Sequence, residues 1–188
     1  MTQPAAPAMH RGLNTMVFAD VVGYSKLREE QAPTFFVSFL GMVAEVMRRE
    51  HLQPLFSNTW GDGLFVVYPR VEQAAEFSAS LLHAMVRTDW IALGLPVQLA
   101  ARVGMHTGPV FAAQDRVIDR VNYFGSHVTR AARIEPITSP GSVFLTEPAA
   151  CALVTAPGHA FRVEYVGRLP LAKAYGREKL YRLVLSRS

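Results

Sequence analysis

Two aspartates stand where their carboxylates could do joint chemistry. Asp20 closes a short apolar run, Thr15-Met16-Val17-Phe18-Ala19-Asp20, and Asp62 is set between glycines in Gly61-Asp62-Gly63. Hard divalent cations take oxygen ligands, and Mg²⁺ is commonly held by one or two carboxylates together with substrate phosphates. Each aspartate also has a plainer reading, as the cap of a strand and as a turn former. An acid at the end of a β-branched strand is unfavourable there, however, and glycines on both sides of the second acid leave room for a ligand to approach the backbone.

The elements that must position this pair follow from periodicity. The run from Asn14 to Asp20 reads as a strand, and Val21-Val22-Gly23-Tyr24-Ser25 turns it into a helix over Lys26 to His51. In that helix Phe35, Phe39, Met42, Val43, Val46 and Met47 recur at spacings of three and four, with Phe36 and Leu40 widening the apolar face. Gln53 to Thr59 and Leu64 to Tyr68 predict a hairpin with Asp62 at its tip. Val71 to Met85 predicts a second helix, and Val97 to His106 with Val110 to Ala112 a pair of strands around Thr107-Gly108-Pro109. A short helix over Gly125 to Ile134, a strand over Ser142 to Thr146, and two closing strands, Phe161 to Gly167 and Lys179 to Leu185, complete the chain. The order β-α-β-β-α-β with extra C-terminal strands predicts an α+β domain of ferredoxin-like or polymerase-palm type. The expected division is a flexible N-terminal arm over 1–13 and one domain over 14–188. In such a sheet the first strand and the hairpin are neighbours, so Asp20 and Asp62 converge at one end.

Composition agrees with one packed domain: 188 residues, 50% hydrophobic and 18% charged. No apolar run approaches the ~20 residues a membrane helix needs. The lone cysteine, Cys151, excludes an internal disulfide, is expected to be a packed thiol, and points to the reducing cytoplasm. The net charge of +4 is dispersed, with no basic run to suggest nucleic acid.

Four ordered segments carry a family resemblance. Phe18-Ala19-Asp20-Val21-Val22-Gly23-Tyr24-Ser25, Trp60-Gly61-Asp62-Gly63-Leu64-Phe65-Val66, Arg102-Val103-Gly104-Met105-His106-Thr107-Gly108-Pro109-Val110 and Tyr123-Phe124-Gly125 to Ala131-Ala132-Arg133 resemble the signature segments of class III nucleotidyl cyclases. The resemblance implies a homodimer with two sites at its interface, one subunit supplying the metal carboxylates and the other part of the base and phosphate contacts. It implies Mg²⁺ or Mn²⁺, two per site, held by Asp20, Asp62 and the Val21 carbonyl. The amides of Val22, Gly23 and Tyr24 would meet the triphosphate. Arg133 falls on the transition-state arginine, whose fork of donors suits charge growing on the α-phosphate. Lys173 corresponds either to the triphosphate lysine or to a solvated loop lysine.

The sequence departs from the purine cyclases at three places. Asn58 and Asn122 stand where that family reads the base, and Thr129 replaces the usual transition-state asparagine. An amide offers both a donor and an acceptor, which suits the mixed edge of uracil or cytosine, and Trp60 either fills space a purine would occupy or packs in the core. Replacing both base readers changes selectivity more than chemistry. In these readers, and as a bare cyclase domain, the chain resembles the small pyrimidine cyclases of bacterial Pycsar antiphage systems. That resemblance implies conversion of UTP, ahead of CTP, to a 3′,5′-cyclic nucleotide that activates a separate effector. The alternatives are an adenylate cyclase with an asparagine-based purine pocket, and a nucleotide-binding pseudo-cyclase. His106 is expected to be packed or hydrogen-bonded rather than a metal ligand.

Overall fold

The computed structural model describes residues 9–185. An eight-stranded sheet runs through it in the order β2-β3-β1-β4-β6-β8-β7, with β5 paired to the far half of β4. The strands are β1 (His10–Val22), β2 (Phe56–Trp60), β3 (Gly63–Tyr68), β4 (Ala100–Asp115), β5 (Arg120–Phe124), β6 (Val143–Thr146), β7 (Phe161–Pro170) and β8 (Arg177–Leu185). The helices are α1 (Ala32–Met47), α2 (Val71–Arg87), α3 (Ser126–Ile134) and α4 (Glu147–Thr155). This is a palm-like α+β fold, with the expected βαββαβ order and closing strands.

Strand alternation divides the sheet into two faces. Val17, Ala19 and Val21 of β1 join the main core, packed against α1, α2 and α4. Residues between them, Met16, Phe18 and Asp20, point to the opposite face, where Met16 packs with Phe56, Phe65, Val67, Val110 and Ala131 of α3. Helix α1 is rich in β-branched and aromatic residues of middling helix propensity, so packing rather than propensity holds it. Phe35, Phe39, Val43 and Val46 are buried, each worth roughly 1.5–3 kcal/mol in transfer from water, against a propensity penalty of at most ~0.7 kcal/mol per residue.

Several boundaries differ from the sequence expectation. Residues 10–13, assigned to an arm, are the start of β1 and pair with β4 from Pro109 to Ala112; residues 1–8 lie outside the described residues. Tyr24–Lys26 and Glu29–Gln31 form two short 3₁₀ turns, and α1 begins at Ala32 with a proline in its first turn. The first hairpin strand begins at Phe56 rather than Gln53. Thr107-Gly108-Pro109 is no turn: β4 runs unbroken through it. Pro109 falls between the stretch paired with β6 (Val103 to Met105) and that paired with β5 (Phe111 to Asp115), so on that edge no ladder loses a donor. Strand β5 and helix α4 were not expected. Cys151 is exposed rather than packed, because the inward stripe of α4 is Ala149, Ala150 and Leu153 and its helical spacing turns residue 151 outward.

Candidate functional site

The hairpin β2–β3 closes through a two-residue turn, Gly61-Asp62, with Trp60 opposite Gly63. Gly61 has φ +72°, as the first position of a tight hairpin turn requires. Because β3 lies beside β1 with Ala19 opposite Leu64, the turn comes alongside the end of β1, and Asp62 and Asp20 meet. Burial pushes the Asp62 carboxyl up to about 6, and the neighbouring negative charge of Asp20 adds to this. Two carboxylates pressed together and partly desolvated favour a cation between them.

A third strand completes this end of the site. Arg102 of β4 is opposite Asp20 in the sheet register, and its Nη2 lies 2.7 Å from Asp20 Oδ2 while its Nε lies 2.5 Å from Glu135 Oε1. Burial raises Glu135 to about 7 despite the opposing pull of Arg102. Sequence reasoning quoted Arg102 within a motif but gave it no role, and did not single out Glu135. The Asp20–Arg102 pairing becomes visible only once the two strands are in register.

Directly after Asp20, the chain leaves β1 through Gly23, whose φ of +101° is a left-handed conformation. The 3₁₀ turn Tyr24–Lys26 follows, with Lys26 N donating to Gly23 O and Leu27 N to Tyr24 O. The first N–H groups of a helical turn have no partner within it, so Tyr24 and Ser25 present donors suited to phosphate oxygens. The Tyr24 hydroxyl also approaches the hairpin tip at Gly61. Val21 and Val22 end β1 paired with Ala101 and Ala100. Among the described residues no cluster of three or more His, Cys, Asp and Glu side chains could hold a metal. Two carboxylates and the Val21 carbonyl fit a hard cation that takes its other ligands from substrate phosphates and water.

The base-facing candidates fall into two groups. Asn58 and Trp60 share one face of β2 with Phe56. Trp60 is half-exposed rather than in the core; its indole lies across Gly63, where a Cβ would collide with it, and tilts against Phe18 with ring centroids 6.2 Å apart. Asn58 Oδ1 accepts a hydrogen bond from Arg120 Nη2 at 2.8 Å. Asn122 is turned to other work: its Nδ2 donates to Asp115 Oδ2 and its Oδ1 accepts from Tyr123 N, both at 2.8 Å. No contact joins Asn122 to Asn58, and the residue that meets Asn58 is Arg120, which sequence reasoning missed.

Helix α3 carries Thr129 and Arg133. Thr129 Oγ1 makes only a long bond, 3.4 Å, back to Gly125 O. Arg130 is paired with Glu178 through Nη1 at 3.1 Å, and among the described residues the Nε atoms of Arg130 and Arg133 are both buried without a hydrogen-bond partner. Lys173 is exposed in the β7–β8 loop, where it and Ala174 both adopt positive φ (56° and 54°). Tyr175 of this loop reaches the α3 N-terminus, its hydroxyl donating to Ser126 O at 3.4 Å. His106 is fully buried, Nδ1 bonded to Thr146 Oγ1 and Nε2 to His127 Nδ1, each at 2.7 Å, which is the packed, hydrogen-bonded histidine expected.

A palm-like domain with paired carboxylates at the end of its first strand and hairpin presents oxygen donors suited to a hard cation and its phosphate ligands. The sequence model of the adenylate and guanylate cyclase catalytic domain matches residues 9–186, and the chain belongs to that family. It is 30% identical over 148 residues to "Putative adenylate cyclase 3" of Rhizobium meliloti, a match covering 76% of this chain and 24% of that much longer protein. Among solved structures it resembles the adenylyl cyclase CyaB of P. aeruginosa, with a TM-score of 0.80 at 18% identity over 96% of this chain and 97% of that one. It also resembles the non-canonical dimeric guanylyl cyclase domain of the RhoGC fusion protein from Blastocladiella emersonii, with a TM-score of 0.77 at 16% identity over 96% and 99%. No helix of the described residues is long and apolar enough to cross a membrane.

Proposed function

We propose that the chain converts a pyrimidine nucleoside triphosphate, UTP ahead of CTP, to its 3′,5′-cyclic monophosphate and pyrophosphate, as a cytoplasmic homodimer with active sites at the interface. The observation that carries the cyclase reading is the pairing of Asp62 with Asp20, the first pushed up to about 6 by burial and by the second. In the reaction the ribose 3′-oxygen forms a bond to the α-phosphorus, the bond from that phosphorus to the bridging oxygen breaks, pyrophosphate departs, and the hydroxyl proton passes to solvent. Asp20, Asp62 and the Val21 carbonyl would hold Mg²⁺ or Mn²⁺, two ions per site. Bound there, the metal supplies a lowered pKa at the 3′-hydroxyl and neutralisation of phosphate charge.

The chain's own residues do the rest. The amides around Val22, Gly23 and Tyr24 seat the β- and γ-phosphates. Arg133, with its unpartnered Nε, meets the charge that grows on the α-phosphate oxygens. Thr129 offers one hydroxyl to the ribose, a shorter arm than asparagine and one suited to a bridging water. Lys173, on a loop strained at two consecutive residues, extends toward the triphosphate; strain of this kind gathers at ligand clamps. The fungal domain of the same fold pairs in an arrangement described as non-canonical, which supports pairing of such domains; the interfacial site is carried by the family resemblance.

The pyrimidine reading rests on Asn58 in place of a charged purine reader and on Trp60 standing exposed beside it. On this reading the product is a second messenger of antiphage defence, answered by a separate effector. The name of the Rhizobium relative favours a second reading, an adenylate cyclase with altered base contacts. Incubation of the pure protein with ATP, GTP, CTP and UTP separates the two, and a protein that binds nucleotides but makes no cyclic product would be a pseudo-cyclase.

A further inference from the structure

Arg120 is an exposed arginine at the start of β5, opposite Asp115 in the ladder. Its guanidinium lies over the ring of Phe56, 4.8 Å from the centroid, and its Nη2 donates to Asn58 Oδ1 at 2.8 Å. Phe56 and Asn58 lie on one face of β2, so the arginine sits over the first while it bonds the second. A guanidinium has donors and no acceptor. That chemistry fixes the Asn58 amide: the oxygen faces Arg120 and the NH₂ faces away. With the Asn58 oxygen already accepting from Arg120, what this pair turns to an incoming ligand is chiefly hydrogen-bond donors, the Asn58 Nδ2–H groups and the remaining N–H groups of Arg120. Asn122 is engaged within β4 and β5, its Oδ1 accepting from Tyr123 N and its Nδ2 donating to Asp115, and it makes no hydrogen bond to Asn58 or Arg120 among the described residues.

We infer that Arg120 and Asn58 together form a donor-rich reader of nucleobase carbonyls, selecting oxo bases, uracil foremost and guanine after it, over the amino bases cytosine and adenine. The inference rests on the nucleotide cyclase reading and adds to it the residue that separates UTP from CTP. A carbonyl oxygen placed against the pair satisfies the donors; an exocyclic amino group meets donor with donor, and both are left unpaired as the site closes. Trp60, on the same face of β2, narrows the space on one side, which favours the smaller oxo base.

The test uses 3′-deoxy-UTP, -GTP, -CTP and -ATP, which lack the attacking hydroxyl and cannot be cyclised, with binding to the full chain followed by calorimetry in Mn²⁺. Turnover of the four ordinary NTPs is measured in parallel. The wild-type chain is expected to bind 3′-deoxy-UTP at least about tenfold more tightly than 3′-deoxy-CTP, the discrimination of one good base-edge contact. Arg120→Ala should bring the two to near equality, and Arg120→Glu, an acceptor in the same place, should reverse the order toward the amino bases. Arg120 is exposed, so both variants should keep the fold, and circular dichroism checks this. A U-to-C ratio that is unchanged in both variants, or a wild-type preference for amino bases, overturns the inference. Cyclic product with an Arg120-insensitive ratio would overturn the inference and leave the cyclase reading standing. An Arg120-dependent preference without cyclic product would do the reverse.

Discussion

Arg102 reaches across the β1–β4 ladder to Asp20, Nη2 to Oδ2 at 2.7 Å. The same guanidinium holds Glu135, so one cation serves two carboxylates on the strand end where Asp62 also arrives. The side chains of Arg102, Asp20 and Glu135 are 28%, 25% and 14% exposed, which places the ion pairs between the weak surface case and the strong buried one. Arg102→Ala leaves a raised, mostly buried Glu135 without its countercharge. The expected loss is about 2 kcal/mol of stability, from removing one partner of a charged hydrogen bond. Urea unfolding at neutral pH measures it, and Arg102→Ala combined with Glu135→Gln should recover part of the loss.

Removing Asp62, a proposed metal carboxylate, should separate activity from folding. Asp62 is in a two-residue turn and its burial raises its own carboxyl, so Asp62→Ala relieves an unfavourable desolvation and should leave the domain folded. Cyclic product should fall by about a thousandfold or more, matching loss of several kcal/mol of charge stabilisation. Product chromatography and sedimentation on the same sample check both halves, and excess chelator should reproduce the activity loss in the wild-type chain.

Arg133 is assigned to charge that develops only during the reaction. Arg133→Ala should lower kcat by about 10²–10³, with KM little changed, as for other donors aimed at a transition state. Arg130→Ala is the control on the same helix: Arg130 is committed to Glu178, and its loss should act on stability more than on kcat. Initial rates across substrate concentrations distinguish the two.

Conversion to a purine cyclase is harder here than exchange of the two asparagines. Asn58→Lys puts an ammonium against the Arg120 guanidinium, and Asn122→Asp puts a carboxylate against Asp115; both place like charges at hydrogen-bond distance. Asn58→Lys alone should gain little ATP turnover, whereas Asn58→Lys with Arg120→Ala should raise the ATP-to-UTP turnover ratio by about tenfold. Paired rate measurements with the two nucleotides give the ratio.

The buried histidine pair gives the fold a pH signature. Burial, with the nearby His127 and Arg130 charges, lowers His106 to about 3, and burial lowers His127 as well. A group whose folded pKa is depressed binds protons more readily when the chain is unfolded, so its contribution is complete above the unfolded value of ~6.5 and is lost as pH falls toward 3. Stability should therefore decline through that window. His106→Gln should flatten the decline, which urea midpoints taken from pH 7 to pH 4 would show.

Much of this architecture was legible in the residues because its signals are local. The three-and-four spacing of Phe35, Phe39, Val43 and Val46 marked α1, and the glycine-flanked Asp62 marked the hairpin tip. What the sequence hid depends on register. Thr107-Gly108-Pro109 carries turn chemistry, yet pairing with β1 keeps it extended, a tertiary override of local preference. Arg102 beside Asp20, and Arg120 beside Asn58, are separated by many residues and joined only across strands. Helix α4, with its alanine stripe and low amphipathic contrast, offered little periodicity to detect.

The most direct measurement incubates the pure chain with equimolar ATP, GTP, CTP and UTP in Mn²⁺ and identifies the products by mass. The account predicts a cyclic pyrimidine monophosphate, cyclic UMP foremost, with stoichiometric pyrophosphate. Cyclic AMP or cyclic GMP as the main product would contradict the assigned specificity, and pyrophosphate-free mixtures with no cyclic nucleotide would contradict catalysis by Asp20, Asp62 and Arg133.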